Sequence, residues 1–519
     1  MQKRFYLFLL ATILYSCTAL GQGSTAGNPV IYADVPDMSI IRVGDTYYMS
    51  STTMHMAPGV PIMRSKDLVN WELVNYCYDI LADVDVLNLN NGKNAYGSGT
   101  WASCIRYHNN MYYVSTFSST TGKTYIYATE DIEKGPWKTI TFTPSYHDHT
   151  IFFDDDGRVY IIWGGGKLRV AELKPDLSGI KEGTERIFIE NASAPSGDNV
   201  GLPAEGSQLF KVNGKYYLFN ITWPKGGMRT VVIHRADHIN GPWEGRVALQ
   251  DKGVAQGGLI DTPDGRWFAY LFRDNGAVGR IPYLVPVKWE EGWPVLGIDG
   301  KVPERLELPA SKGLIPGIVA SDEFTRKKKE AALPLVWQWN HNPDNSLWSV
   351  SERKGYLRLK TGRVDTDFLS ARNTLTQRTV GPVCSGTTSV DVSNMKEGDF
   401  AGLALLQKKY GFVGVKYENG VKKIVMVSAQ ADKPEEVESL PLNQTVIFLK
   451  AECDFTDLKD IASFYYSLDG KKWIKIGSQL KMAYTLPHFM GYRFGLFNYA
   501  TKAAGGYVDF DYFRISDKK

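Results

Sequence analysis

Cysteine is scarce in this sequence: five residues in 519, namely Cys17, Cys77, Cys104, Cys384 and Cys453. No two form a CxxC pair and none sits at metal-ligand spacing, which argues against a disulfide framework or a zinc cluster. The four beyond Cys17 read as buried free thiols. An excess of either charge is also missing. Lys and Arg number 59 against 56 Asp and Glu, a net +3, and no basic run is long enough for a nucleic-acid patch. Long apolar runs are absent but for Phe5 to Tyr15, too short for a membrane span. Behind Met-Gln-Lys-Arg, that run reads as the core of a signal peptide over residues 1–21. Cleavage after Gly21 fits the small residues Ala19 and Gly21, and Leu14-Tyr-Ser-Cys17 reads alternatively as a lipobox that would anchor Cys17 to lipid. The expectation is a secreted or periplasmic protein, or an outer-membrane lipoprotein.

What the sequence has in quantity is aromatic residues and glycine: 29 Tyr, 13 Trp and 50 Gly. Many aromatics and many turn residues suit an all-β protein with surfaces on which sugars stack. A turn followed by an aromatic strand recurs five times, in Val43-Gly-Asp-Thr-Tyr-Tyr48, His108-Asn-Asn-Met-Tyr-Tyr113, Asp156-Gly-Arg-Val-Tyr160, Asn213-Gly-Lys-Tyr-Tyr217 and Asp264-Gly-Arg-Trp-Phe268. A second turn signal follows each, as in Ser65-Lys-Asp-Leu-Val-Asn-Trp71 and Ala236-Asp-His-Ile-Asn-Gly-Pro-Trp243. Two hairpins per unit make a four-stranded blade, and five units predict a five-bladed β-propeller over residues 22–310. The stretch Tyr78 to Tyr96 breaks the period and reads as a long loop at the site rim. Pro303 to Pro316 reads as a connector. Residues 320–519 carry short strands without helical periodicity, which predicts a β-sandwich of jelly-roll type, with Lys327-Lys-Lys-Glu-Ala-Ala332 as a solvated loop.

Counting back from each hairpin turn to the start of its first strand reaches Asp37, Trp101, Asp148, Glu205 and Gln256. Equivalent positions of successive blades face one centre in a propeller. Three carboxylates and a tryptophan, far apart in sequence, are therefore expected at one mouth of the axial channel.

Several strings together resemble family 43 glycoside hydrolases, five-bladed propellers that include β-xylosidases and α-L-arabinofuranosidases. They are Pro36-Asp-Met-Ser39, Pro58-Gly-Val-Pro-Ile62, Phe152-Phe-Asp-Asp-Asp-Gly157, Glu205-Gly206, Asp261-Thr-Pro-Asp-Gly265 and Gly279-Arg280. Trp337-Gln-Trp-Asn-His-Asn-Pro343 and Arg372-Asn-Thr-Leu-Thr-Gln-Arg-Thr379 are similar to the concanavalin-like sandwich that follows the propeller in the β-xylosidase branch. The resemblance implies Asp37 as general base, Asp148 as the carboxylate that orients the acid and raises its pKa, Glu205 as general acid, and Arg280 as the arginine reaching the site from the last blade. It implies inversion, with no cofactor required. Many relatives place a histidine near an axial calcium where Ala255 precedes Gln256 here, so a structural Ca²⁺ stays open.

The residues alone leave alternatives. Asp37 also reads as a turn aspartate after proline, with Asp34 as its competitor. Asp148 reads as a turn residue or as part of a His147-Asp-His149 metal site, and Asp154 to Asp156 as a hairpin turn on the far side. Trp101 reads as a sugar platform or propeller core, Arg280 as a ligand of sugar hydroxyls, a holder of Glu205 or a surface ion pair. His55, in Thr53-Met-His-Met-Ala-Pro58, and Gln256 complete the candidate sugar contacts, with Met54 and Met56 as a soft wall. The expected partner is a plant cell-wall oligo- or polysaccharide, from which an exo-acting enzyme releases xylose or arabinose. The alternatives are arabinanase or galactanase activity on the same fold, or a propeller that binds carbohydrate without cleaving it.

Overall fold

Each predicted turn unit becomes half of a four-stranded antiparallel blade. In a computed structural model, which describes residues 25–518 except 328–331, 432 and 487, blade one comprises Ser39–Val43, Thr46–Ser50, Gly59–Ser65 and Glu72–Tyr78. Blades two to five follow the same order, each a meander in which every strand pairs with the next. Their inner strands are Ser103–His108, Thr150–Phe153, Val200–Val212 and Ala255–Asp261. The expected signal segment with Cys17, and most of the lysine-rich loop at 328–331, lie outside the described residues.

The Asn213-Gly214 turn shows why the hairpins form. Both residues take left-handed backbone (φ 49° and 80°), the geometry that a two-residue turn between right-twisted strands requires. The alternate apolar side chains then pack between blades rather than within one. Ile62 and Cys77 of blade one meet Val114 and Tyr127 of blade two, and Ile126 meets Ile161 of blade three. The ring closes when Thr25–Gly27 pairs with Arg305–Pro309 and Arg42 of blade one grips the Asp261 carboxylate of blade five.

The second unit is a sandwich of two seven-stranded sheets. One sheet runs Gln338–Trp339, Leu375–Arg378, Arg493–Ala500, Asp399–Leu406, Gly411–Glu418, Val421–Ser428 and Glu435–Pro441. Cys77, Cys104, Cys384 and Cys453 are buried free thiols, and Cys384 stands opposite Cys453 on paired strands. Among the described residues no helix is long and apolar enough to cross a membrane.

The seam between the two units corrects two sequence expectations. Met54 and Met56 do not wall a sugar site; both are buried among Phe368, Phe412 and Phe497 of the sandwich. The stretch around 78–96 docks on the sandwich rather than rimming the site: Asn342 bonds the Leu87 and Ala82 carbonyls, and Tyr96 donates to Leu369. Ala57 and Trp339 exchange backbone hydrogen bonds across the seam. Apolar side chains in a loop are equally compatible with a ligand and with a partner sheet, and here the sheet takes them.

Candidate active site

The blade entries carry an unusual backbone. Asp37, Asp148 and Gln256 adopt left-handed φ of 51°, 46° and 55°, and Gly206 takes 66° in blade four. Asp is among the few non-glycine residues that tolerate this region. With Ala102, these residues line one small cavity on the propeller axis. Repeat phase thus placed Asp37, Asp148 and Gln256 correctly. In blades two and four the residue facing the axis is one further on, Ala102 and Gly206, so Trp101 and Glu205 project from the adjacent position.

That offset sets the geometry. Glu205, on the rim, lies 3.1 Å (Oε2) from His147 Nε2, which is 3.9 Å from Asp148 Oδ2. Glu205 and His147 keep contact with solvent, whereas Asp148 is buried. Burial lifts the Asp148 carboxyl to about 7; His147 and Arg280 pull it down, and the Glu205 and Asp37 carboxylates push it up. The hydrogen bond to Glu205 raises His147 to about 9 against the opposing effect of burial. Glu205 thus sits against two groups, His147 and Asp148, that both hold protons more tightly than usual.

Asp37 has a different setting. Arg280 Nη1 donates to both its oxygens, at 3.0 and 2.9 Å, and both residues are buried. Burial pushes Asp37 upward and the guanidinium opposes it, so the carboxylate is basic for its kind yet paired with a cation. Arg280 is therefore neither a surface ion pair nor the holder of Glu205: it holds Asp37. The competitor Asp34 is a structural hub, accepting the backbone N–H of Arg280 at 2.7 Å and of Gly491 at 3.1 Å. Asp154, at the opposite end of its strand from Asp148, closes a hairpin turn and pairs with Lys211.

Trp101 stacks on Phe489, a sandwich residue, with centroids 5.0 Å apart at 26°. The Arg280 guanidinium lies 4.5 Å from the same ring. Phe117 bridges Trp101 and His147 at 6.3 and 5.3 Å. The second domain thus completes an aromatic wall beside the carboxylates. Gln256 packs across Gly206, next to Glu205. His55 is elsewhere: its Nε2 bonds Asn340 Oδ1 at 3.0 Å, its ring packs on Tyr96, His341 and His488 in the seam, and burial lowers its pKa to about 3. Two contributors escape a reading of the sequence. His147 is visible there only as the neighbour of Asp148, and Phe489 carries no repeat or motif.

Phe489→Ala is expected to lower kcat/KM about tenfold, chiefly through KM, since one stacked aromatic wall is lost while every carboxyl stays in place. Steady-state kinetics with a circular-dichroism control checks this; a loss confined to kcat would assign the ring another role.

The Arg106 guanidinium of blade two reaches blades three and four, donating to Thr150 Oγ1, Gln208 Oε1 and the Ile151 carbonyl. Ser39 takes the same Gln208 oxygen. His147, Asp148 and Glu205 each offer a ligand atom within 4.8 Å of the others, while His149 turns away to the Tyr146 carbonyl, so a His-Asp-His set is not formed.

Comparison with known proteins agrees with this architecture. A family model described as glycosyl hydrolases family 43 matches residues 26–294, and one described as the β-xylosidase C-terminal concanavalin A-like domain matches 321–516. A β-xylosidase of Formosa agariphila is 30% identical over 94% of this chain and 89% of its own. The solved structure of a bifunctional GH43-CE protein of Bacteroides eggerthii superposes with TM-score 0.95 at 70% identity; it covers 96% of this chain, which spans 64% of that protein. An engineered GH43 glycoside hydrolase with endo-xylanase and exo-arabinofuranosidase activity superposes with TM-score 0.83 at 30% identity, over 95% of this chain and 100% of its own.

Proposed function

The chain belongs to glycoside hydrolase family 43, and from that premise we propose that it is an inverting, exo-acting pentosidase. It removes β-D-xylose or α-L-arabinofuranose from the non-reducing ends of plant cell-wall oligo- or polysaccharides. The named activities of its relatives support the pentose class. The N-terminal segment would export it to the polymer.

One observation carries the mechanism: the carboxyls sit in opposed environments. Glu205 bonds His147 beside the buried Asp148, two groups raised above their ordinary range, whereas Asp37 is tied to a buried guanidinium. Glycoside hydrolysis needs that asymmetry, one carboxyl to protonate the leaving oxygen and one carboxylate to deprotonate the attacking water. Glu205 takes the first role. His147 occupies one of its oxygens and leaves the other for the glycosidic oxygen. Asp37 takes the second, activating water on the opposite face of the sugar. Asp148 helps keep a proton beside Glu205 through its own burial and charge. Arg280 fixes the Asp37 rotamer and, with Trp101, Phe489 and Gln256, holds the sugar ring.

The anomer of the first product tests the reading. Proton NMR during hydrolysis of an aryl β-xyloside should show α-xylose first, with single sugars released from oligomers. A β-anomer first would replace inversion with retention, and internal cleavage of polymer alone would remove the exo assignment.

A further inference from the structure

Two arginines face each other at the seam with no acid bonded to them. Arg378 and Arg493 are direct partners on the antiparallel strands Leu375–Arg378 and Arg493–Ala500. Cross-strand partners project to the same side of a sheet, and like charges placed so repel. Arg378 is 1% exposed and Arg493 3%. Their bonds go to neutral acceptors. Arg378 Nε donates to the Asp34 carbonyl at 2.9 Å; Arg493 donates from Nε to Thr376 Oγ1 and from Nη2 to Gln338 Oε1, both at 2.9 Å. Both Nη atoms of Arg378 are buried beside the Tyr76 hydroxyl, another neutral acceptor, and no acid among the described residues bonds them. A buried guanidinium so placed is costly unless an anion meets it.

The surrounding groups do not supply that anion in full. The Asp34 carboxylate is the nearest acid in electrostatic reach of Arg493 and is already bonded to the Arg280 and Gly491 backbone. Tyr76, beside both arginines, gives its hydroxyl proton to the Leu335 carbonyl. His55 is a neutral imidazole at this seam, and Arg280 is matched by Asp37. Burial and the Arg378 charge lower Arg493 only to about 9, which leaves it charged at neutral pH, and a guanidinium keeps its charge in proteins generally. Two positive charges against Asp34 leave one positive charge to balance.

We propose that Arg378 and Arg493 form a buried binding site for one monovalent inorganic anion of the halide class, which clamps the sandwich to the propeller. The clamp bears on the active site. Arg378 holds the Asp34 backbone, and the Asp34 carboxylate holds Gly491, two residues from Phe489, together with the backbone of Arg280.

Thermal unfolding of the unmodified protein in chloride or bromide against gluconate, at constant ionic strength, tests this. The Tm should rise by roughly 1–2 °C per tenfold increase in halide above half-saturation. Crystals grown in bromide should show an anomalous peak between the two guanidinium groups, and Arg378→Met should abolish the halide dependence. A flat Tm, or a Tm rise with no peak between Arg378 and Arg493, overturns the proposal. The titration and the peak both use the unmodified chain, so they decide the matter even if Arg378→Met does not fold.

Discussion

Glu205→Gln is expected to reduce kcat/KM on a xylo-oligosaccharide by about 10³–10⁴-fold, while an activated dinitrophenyl pentoside loses no more than about tenfold. The first figure corresponds to about 4–5.5 kcal/mol of transition-state stabilisation. A sugar alkoxide is a poor leaving group and needs the proton; dinitrophenolate leaves without it. Glutamine keeps an oxygen to accept the His147 hydrogen bond, so the local arrangement survives and the change isolates proton donation. The pH profile gives an independent check. His147 is raised to about 9 and Asp148 to about 7, so the two groups beside Glu205 lose their protons as pH rises from neutral into the alkaline range. Activity on a sugar leaving group should therefore fall on the alkaline side, and that limb should vanish in Glu205→Gln. Equal losses for both leaving groups would mean that the substitution damaged geometry and that Glu205 is not the proton donor.

Much of this site was legible because a propeller converts sequence period into spatial convergence. Five turn-aromatic units gave the blades, and their phase gave Asp37, Asp148 and Gln256. The one-residue offset at Glu205 was not legible, because backbone hand decides it, and the same offset at Trp101 comes without a left-handed residue. Blade four puts its left-handed residue at Gly206, which displaces the acid to the position before. What lies in the seam was illegible for another reason. His55, Met54 and Met56 satisfy any rule for a polar-rimmed apolar pocket, yet the surface that buries them belongs to the second domain. Phe489 is the converse case, a site residue supplied by a loop of the sandwich whose sequence has no reason to point there. The partner of Arg280 was likewise open until the blades were closed. Asp34, three residues from Asp37, accepts its backbone N–H, and Asp37 accepts its guanidinium.

Asp37→Asn should cost about 10³-fold or more in kcat, with one distinguishing feature: the loss is the same for a sugar and for a dinitrophenyl leaving group. A base acting on water is needed however easily the other side departs. Asparagine keeps an oxygen to accept from Arg280 Nη1, so the ring wall and the guanidinium hold their places. It removes the charge that opposes Arg280, however, and unpairing a buried ion costs up to about 3–5 kcal/mol. The Tm of the variant should therefore fall, and kinetics belong well below it. Together the two substitutions separate the carboxyls by chemistry rather than by position. Glu205→Gln gives a loss that grows with leaving-group basicity, and Asp37→Asn gives one that ignores it. If Asp37→Asn instead showed the leaving-group dependence, the acid would lie on blade one, and the proton-holding cluster around His147 would need another purpose.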